Sequence, residues 1–310
     1  MNILVLDGGG IKGVFPASFL ATVEDSLQES ITNYFDLIVG TSTGGIIALG
    51  LGLGWSAQEI LTFYEELGPK VFRAERFNYF RRLRFAKYGQ DALRASLESK
   101  FGDKRLGESA KRLVIPSLNL ETGEVHIFKT SHHHRFERDY KERVVDVALA
   151  TSAAPTYFPT HQGSAGTPLI DGGVWANNPT GLAVVEAIGV LGWPRESIRV
   201  LSLGCTTESF NAARGRRANV GLGYWVTKIA DVFMTAQSFS SLGTAYVLVG
   251  HENVCRISPN VPKGRFGLDV VNEIPSLKGL AATEARKAMP ELRTKFFQER
   301  ADPFEPYHKL

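Results

Sequence analysis

Cysteine is scarce in this chain: only two of its 310 residues are cysteines, Cys205 and Cys255, and they lie far apart. Two distant cysteines exclude a disulfide framework and a Cys-x-x-Cys metal pair, so we expect a reduced, cytosolic environment. A large excess of one charge is also lacking, because the formal net charge is only +3. The composition therefore does not indicate a nucleic acid polymer as a partner.

From the sequence pattern we expect neither a leader nor a membrane-spanning helix. Residues 1–7 contain no basic segment, and their apolar run is too short for a signal peptide. We expect no membrane span, because we find no uncharged apolar run that reaches 18 residues. The chain is then expected to be cytoplasmic and to reach lipid from the water side, at the inner face of the membrane.

Apolar content is sufficient for a buried core, at 44% hydrophobic and 22% charged residues. Short apolar runs predict buried strands at 3–6, 37–39 and 198–203 and a hairpin over 112–129. Helical patterns alternate with them, at 13–29, 44–53, 58–67 and 144–152. This order predicts an α/β fold with a central, mostly parallel sheet and helices on both faces. Without repeats or a linker, residues 1–310 are interpreted as one domain, largely helical over 206–310.

The first motif with chemistry is Gly40-Thr41-Ser42-Thr43-Gly44, which matches G-x-S-x-G between a predicted strand and a predicted helix. A serine in such a sharp turn has its hydroxyl exposed at the end of the sheet, and the flanking glycines permit the turn. The helix that follows favours negative charge at its N-terminus. The alternative is a glycine-rich turn with an incidental serine, which the strand–turn–helix context disfavours.

The second motif is a glycine run, Asp7-Gly8-Gly9-Gly10-Ile11-Lys12-Gly13. Backbone amides in such a run can bind an anion, and beside an acyl-transferring serine they would bind the tetrahedral oxyanion. The run also satisfies the dinucleotide pattern G-x-G-x-x-G. That pattern expects an acidic residue after the second strand, whereas Asp36 precedes it. Nucleotide binding therefore remains a minor alternative.

The third motif is Asp171-Gly172-Gly173, which follows an apolar segment and is placed where a strand would end. An aspartate is a weak base in water, but burial would raise its pKa and make it better suited to accept a proton. In isolation, the tripeptide is equally typical of an Asp-Gly turn.

Taken in order, these motifs and the intervening segment 153–159 (Ala-Ala-Pro-Thr-Tyr-Phe-Pro) resemble the signature of patatin-like phospholipases over residues 1–205. The resemblance implies a patatin-like fold and a Ser–Asp dyad without a catalytic histidine, with Ser42 as nucleophile and Asp171 as base. It implies oxyanion donors at Gly8, Gly9, Gly10 and Thr43. It also assigns loop support to Lys12 and Gly13, and the two sharp turns to Gly40, Gly44, Gly172 and Gly173.

The same resemblance implies a membrane phospholipid substrate, no cofactor and no metal. The compact layout is similar to bacterial members that act as anti-phage effectors and are activated by cyclic dinucleotides, although no motif here specifies such a ligand. Three alternatives stay open: an ungated esterase or acyltransferase of the same fold, a gated enzyme that is silent at rest, and a nucleotide-binding protein. The sequence also leaves open whether the chain forms a homo-oligomer.

The main alternative to the Ser–Asp dyad is a Ser–His–Asp triad, which would need a catalytic histidine. His251 is the best-placed downstream histidine, but its context favours a helix end. His161 is a candidate for the wall of the pocket and has no partner that would make it a base. His132, His133 and His134 are consecutive, so they cannot all face one metal ion, and we expect a solvated loop.

Basic and aromatic residues alternate between residues 70 and 88, with Arg81, Arg82 and Arg84 at the centre. This composition suits an anionic membrane surface, and we expect the three arginines to contact lipid or a ligand. A basic helical face whose aromatic residues pack in the core is the alternative.

Overall fold

The computed structural model describes residues 1–72, 85–164, 166–208 and 221–310. Its main sheet has the order β5–β6–β3–β2–β1–β7–β9, with β4 paired to β3, and a small second sheet joins β8 and β10. The strands are β1 Asn2–Leu6, β2 Leu37–Gly40, β3 Arg112–Asn119, β4 Val125–Lys129, β5 His161–Gln162, β6 Pro168–Asp171, β7 Arg199–Leu203, β8 Thr207–Glu208, β9 Val254–Ile257 and β10 Asn260–Val261.

The centre of the main sheet is parallel. Strands β3, β2, β1, β7 and β9 run in one direction, whereas β4, β6 and β5 join the β3 side with antiparallel pairings. The predicted α/β architecture with a mostly parallel sheet is confirmed. The predicted hairpin over 112–129 also forms, as β3 and β4.

Helices cover both faces of this sheet: α1 Val14–Leu27, α2 Thr43–Gly52, α3 Ala57–Val71, α4 Asp91–Phe101, α5 Val144–Thr151, α6 Gly173–Ala176, α7 Thr180–Gly189, α8 Leu222–Val249 and α9 Ile274–Lys295. Alternate residues of β1 enter two different cores, because successive side chains of a strand point to opposite faces. Leu4 and Leu6 join the core that contains α1, α3 and α9. Ile3 and Val5 join the core that contains α7 and α8.

The C-terminal part of the chain contributes more than helices. Strand β9 extends the central sheet beside β7, in parallel register from Val200↔Val254 to Leu203↔Ile257. Helix α9 packs along α1, and its Leu277, Ala281 and Ala285 are buried there. The region after residue 205 is therefore built into the same core as the N-terminal motifs.

The parallel strands place the two candidate motifs at one end of the sheet. The glycine run follows the carboxyl end of β1, and Ser42 follows the carboxyl end of β2. Asp36 lies at the opposite end, before β2, and its carboxylate accepts the Asn2 amide at 2.7 Å. This position separates Asp36 from the glycine run and removes the acidic residue that the dinucleotide pattern requires.

The premise that no uncharged apolar stretch reaches 18 residues is wrong. Residues Val232–Val249 of α8 contain no charged side chain and have a mean hydropathy of 1.2, and only 11% of the stretch is buried. By length and composition alone, this stretch could cross a membrane. A single helix of this kind is weak evidence for a span, since core helices of soluble proteins pass the same criterion.

Candidate active site

Ser42 occupies a strained turn between β2 and α2. Its backbone has φ 55° and ψ −121°, a conformation that is rare for a residue with a side chain. The flanking glycines are required by close approach: a Cβ at Gly40 would lie 2.1 Å from the Gly44 carbonyl oxygen, and one at Gly44 would lie 2.3 Å from the Leu6 oxygen. The turn therefore has the geometry of a nucleophile elbow.

Thr151 anchors this turn to two neighbouring elements. The Ser42 amide donates to Thr151 Oγ1 at 3.0 Å, and the same hydroxyl donates to the Pro116 carbonyl of β3 at 2.6 Å. Thr151 is fully buried at the end of α5. Elbow, helix and sheet are thus joined through one side chain.

Asp171 ends β6 and faces the serine. The Asp171 carboxylate accepts the Gly173 amide at 2.6 Å, and its own amide donates to the Ala153 carbonyl at 3.0 Å. Burial raises the pKa of Asp171 to about 7, while hydrogen bonds from the Ser42 side chain and the Gly173 amide act in the opposite direction. A carboxylate with this pKa beside a serine side chain is suited to accept the serine proton near neutral pH.

Gly172 closes the turn beside Asp171. A Cβ at this position would lie 2.3 Å from the Pro116 carbonyl oxygen, so the chain can pass β3 only with a glycine there. At Gly173 a Cβ would lie 3.0 Å from Asp171 Oδ1, so both glycines after Asp171 have steric reasons. These contacts are consistent with the placement expected from the motif.

The glycine run lies against both turns, but its three amides are not equivalent. The Gly8 amide donates to the Asn177 carbonyl at 2.9 Å and is therefore already engaged. Among the described residues, the amides of Gly9 and Gly10 have no hydrogen-bond acceptor. Of the four expected oxyanion donors, Gly8 is therefore engaged elsewhere, because the segment after Asp171 accepts its hydrogen bond.

The far end of the run contacts the elbow directly. A Cβ at Gly13 would lie 2.1 Å from Thr43 Oγ1, so this glycine packs on the residue that follows the serine. Thr43 Oγ1 donates to the Tyr64 hydroxyl at 2.6 Å, and that hydroxyl donates to the Thr43 carbonyl at 2.8 Å. Lys12, in a short 3-10 helix, donates its amide to the Gly9 carbonyl at 3.2 Å and so closes the loop.

A buried arginine supports the start of the glycine run. Arg256 of β9 donates from Nη1 to Asp7 Oδ1 at 2.8 Å and from Nη2 to Asp7 Oδ2, and Nη1 also donates to Ser202 Oγ at 2.8 Å. Burial acts to lower the pKa of Arg256, but the Asp7 carboxylate outweighs this effect and raises it. The guanidinium therefore stays charged and fixes the carboxylate at two points.

This contact continues by hydrogen bonds to the segment after Asp171. Ser202 Oγ lies 2.8 Å from Thr180 Oγ1, which donates to Asn178 Oδ1 at 2.5 Å. Asn178 follows Asn177, whose carbonyl accepts the Gly8 amide. The two loops that flank Ser42 are consequently held in one buried polar network, and such networks fix geometry when every member is satisfied.

Other titratable candidates lie apart from this network. His161 is buried in β5, with Nε2 3.7 Å from Asp146 Oδ1, and burial lowers its pKa. His251 is exposed and stacks on Tyr246 after α8. The expectation of a solvated loop is wrong for His132, which is buried and 3.0 Å from Glu186 Oε1.

Metal binding finds no support in the part of the chain that is described, where no group of three His, Cys, Asp or Glu side chains could hold an ion. Burial raises the pKa of Cys205 to about 12, so this thiol stays protonated where it packs against Gly9. Arg81, Arg82 and Arg84 lie outside the described residues.

Sequence reasoning missed the supporting residues Thr151, Tyr64 and Arg256. Only Arg256 had a usable signal: it is the single charged residue in the short strand Val254–Ile257, and a buried charge requires a partner. The identity of that partner, 249 residues away, could not be read from the pattern.

Comparison with known proteins agrees with this geometry. The family model described as patatin-like phospholipase matches residues 4–184, and the chain belongs to that family of lipid-hydrolysing ester hydrolases. A "cGAMP-activated phospholipase" of Pseudomonas aeruginosa is 36% identical over 244 residues, covering 77% of this chain and 72% of the relative. A protein with the same description from Vibrio cholerae is 34% identical, covering 73% and 70%.

The fold likeness extends to a solved structure. VipD from Legionella pneumophila matches with a TM-score of 0.51 at 12% identity, covering 95% of this chain and 67% of that one. At this identity the match concerns the fold alone. It agrees with the mixed α/β architecture described above.

Proposed function

We propose that this chain is a phospholipase of the A type that cleaves fatty-acyl esters of membrane phospholipids through Ser42 and Asp171. The observation that carries the proposal is the buried Asp171 carboxylate, whose pKa burial raises to about 7 and which interacts with the Ser42 side chain. Family membership supports lipid esters as the substrate class. The two free cysteines support work in a reducing compartment, and therefore at the inner face of the cytoplasmic membrane.

In this mechanism, Asp171 accepts the Ser42 proton as the serine oxygen attacks the ester carbonyl. The negative charge that develops on the carbonyl oxygen is stabilised by the amides of Gly9, Gly10 and Thr43, and one such donor typically contributes about 10²–10³ in rate. Asp171 returns the proton to the departing lysophospholipid alcohol, which leaves an acyl-serine. Water then donates a proton to Asp171 and attacks the acyl-serine. As the bond between the acyl group and Ser42 Oγ breaks, Asp171 returns this proton to Ser42 and the fatty acid is released.

We further propose that a cyclic dinucleotide activates this hydrolysis, in anti-phage defence. The relatives described as cGAMP-activated phospholipases support this assignment. An ungated esterase of the same fold is the second candidate, because the fold of the chain itself brings the Asp171 carboxylate beside the Ser42 side chain.

The test is fatty-acid release from mixed phospholipid vesicles by wild type, Ser42→Ala and Asp171→Asn, each with no nucleotide, with cGAMP and with cyclic di-GMP. We expect release by wild type with cGAMP and loss of at least about 10³-fold in both variants. Equal release in all three nucleotide conditions would select the ungated enzyme. Full activity of Ser42→Ala would contradict the dyad.

A further inference from the structure

Helix α8 exposes a line of large apolar side chains to solvent. Ile229, Phe233, Phe239 and Val247 are between 44% and 86% exposed, and we call these four residues the α8 stripe. At about 100° per residue they fall within an arc of roughly 120° on the helix surface. Exposed apolar residues scattered singly are ordinary, but an aligned set with two phenylalanines is a candidate interaction surface.

The opposite side of α8 is fixed to the protein. Ala245 and Val249 are buried in the core shared with α7, and Gly181 donates its amide to Ser241 Oγ at 2.8 Å. A helix that crossed a bilayer would lose these contacts. The stripe is therefore better suited to lie along a surface than to span a membrane.

The side of α8 that faces the protein is also hydrogen-bonded to the segment that follows Asp171. Gln237 Nε2 donates to the Asn178 carbonyl at 3.2 Å, and Gln237 Oε1 accepts the Asn178 amide at 3.3 Å. Asn178 Nδ2 also donates to Ser238 Oγ at 3.2 Å. The α8 stripe is thus displayed by a helix that is anchored directly to the candidate active site.

We propose that the α8 stripe is the surface on which the protein docks to a phospholipid bilayer. This inference rests on the proposed function, which requires an ester bond beneath the headgroups to reach Ser42. The uncharged stretch Val232–Val249 can enter the interface without desolvating a charge, and phenylalanine side chains suit that depth.

The test measures binding to phosphatidylcholine–phosphatidylglycerol vesicles in a flotation assay. All proteins carry Ser42→Ala, so that the vesicle lipids are not hydrolysed. Phe233→Asp/Phe239→Asp is compared with Leu120→Asp/Val125→Asp, which places two charges on similarly exposed residues at the β3–β4 turn. We expect the α8 pair to reduce vesicle binding at least about tenfold. Each phenylalanine that enters the lipid contributes substantially to the partitioning of the protein onto the vesicle. The control pair should leave binding unchanged.

The Ser42-containing versions of the same variants separate docking from chemistry. With cGAMP present, the α8 pair should lose vesicle hydrolysis and keep its rate on a soluble short-chain ester. If the aspartates prevent folding, Phe233→Ser/Phe239→Ser replaces them in both assays. Equal losses on vesicles and on the soluble ester would overturn the docking role.

Two further outcomes overturn the inference while leaving other claims intact. Unchanged vesicle binding by the α8 pair refutes the surface, and Ser42-dependent hydrolysis by wild type would still support the proposed function. A change in oligomeric mass by light scattering, with vesicle binding unchanged, would assign the stripe to contact between copies of the chain. Absence of hydrolysis on both substrates, with and without cGAMP, would instead refute the proposed function.

Discussion

Asp171 is the residue on which the chemistry depends, and its environment explains why a carboxylate can serve as the base. In water an aspartate would be ionised at pH 7 but too weakly basic to accept a serine proton efficiently. Burial brings the pKa of Asp171 to about 7. The side chain is then about half ionised at neutral pH and is a much stronger base.

The first prediction concerns the pH dependence of kcat/KM on a soluble ester. The base must be ionised, so kcat/KM should fall below pH 7, with a midpoint near the raised pKa of Asp171. A flat profile between pH 5 and pH 8 would contradict this assignment.

The same prediction extends to stability, which should change with pH in the opposite sense. The folded protein holds the Asp171 proton more tightly than the unfolded chain, whose pKa is near 3.8. Its contribution to the free energy of unfolding is complete below about pH 4 and is lost as the pH rises through about 7. Asp171→Asn should therefore gain stability relative to wild type between pH 5 and pH 8, by at most about 4 kcal/mol in urea titrations.

Arg256 gives the second prediction at this scale. Arg256→Lys retains the charge but cannot fix both oxygens of Asp7, so the glycine run should lose its alignment. We expect kcat to fall about 10- to 100-fold with little change in KM, because the oxyanion forms only in the transition state. Arg265→Lys, at an exposed arginine with a distant partner, is the matched control.

A rise in KM with an unchanged kcat would argue against this role for Arg256. Arg256→Met provides a second comparison, since it leaves Asp7 buried without its cation. That change should destabilise the fold by about 3–5 kcal/mol, whereas the lysine variant should remain folded.

At the scale of elements, the site is a junction between the β2–α2 turn that carries Ser42 and two further elements, helix α5 and strand β3. The sequence predicted the turn well, because both strand β2 and helix α2 are local patterns and the glycines are contiguous with the serine. It could not predict that α5 and β3 would meet this turn at Thr151. A tertiary hydrogen bond leaves no periodic signal in either element.

The third prediction tests this junction. Thr151→Val keeps the shape of the side chain but removes the hydroxyl that bonds both the Ser42 amide and the Pro116 carbonyl. Two buried groups lose their partner, so we expect a loss of about 1–3 kcal/mol in stability and about tenfold in kcat. Thr151→Ser keeps the hydroxyl and should retain most of the stability and most of kcat. Equal effects of the valine and serine variants would contradict the explanation.

At the scale of the whole molecule, the four motifs occupy residues 1–205, but the fold does not end there. Strand β9 joins the central sheet, α9 packs on α1, and Arg256 pairs with Asp7. Helices α8 and α9 lie in this region, which the sequence predicted to be largely helical. The sequence did not predict the strand, because four residues with one charge are too short and irregular a pattern.

The fourth prediction follows from these contacts. A chain truncated after Thr206 retains every motif but loses β9, α9 and Arg256, so we expect it to be unfolded or aggregated by circular dichroism and size-exclusion chromatography. This outcome would support the interpretation of residues 1–310 as one domain. A folded, monodisperse and active fragment would show that the motifs form a separate domain.

The pairing of Ser42 with Asp171 is tested most directly by mapping a covalent adduct. Wild type, Ser42→Ala and Asp171→Asn are incubated with a long-chain fluorophosphonate, with and without cGAMP, and the labelled peptides are identified by mass spectrometry. We predict one adduct, on Ser42, that is absent from Ser42→Ala and forms at least about 100-fold more slowly in Asp171→Asn. Labelling at another residue, or at the full rate in Asp171→Asn, would contradict the dyad.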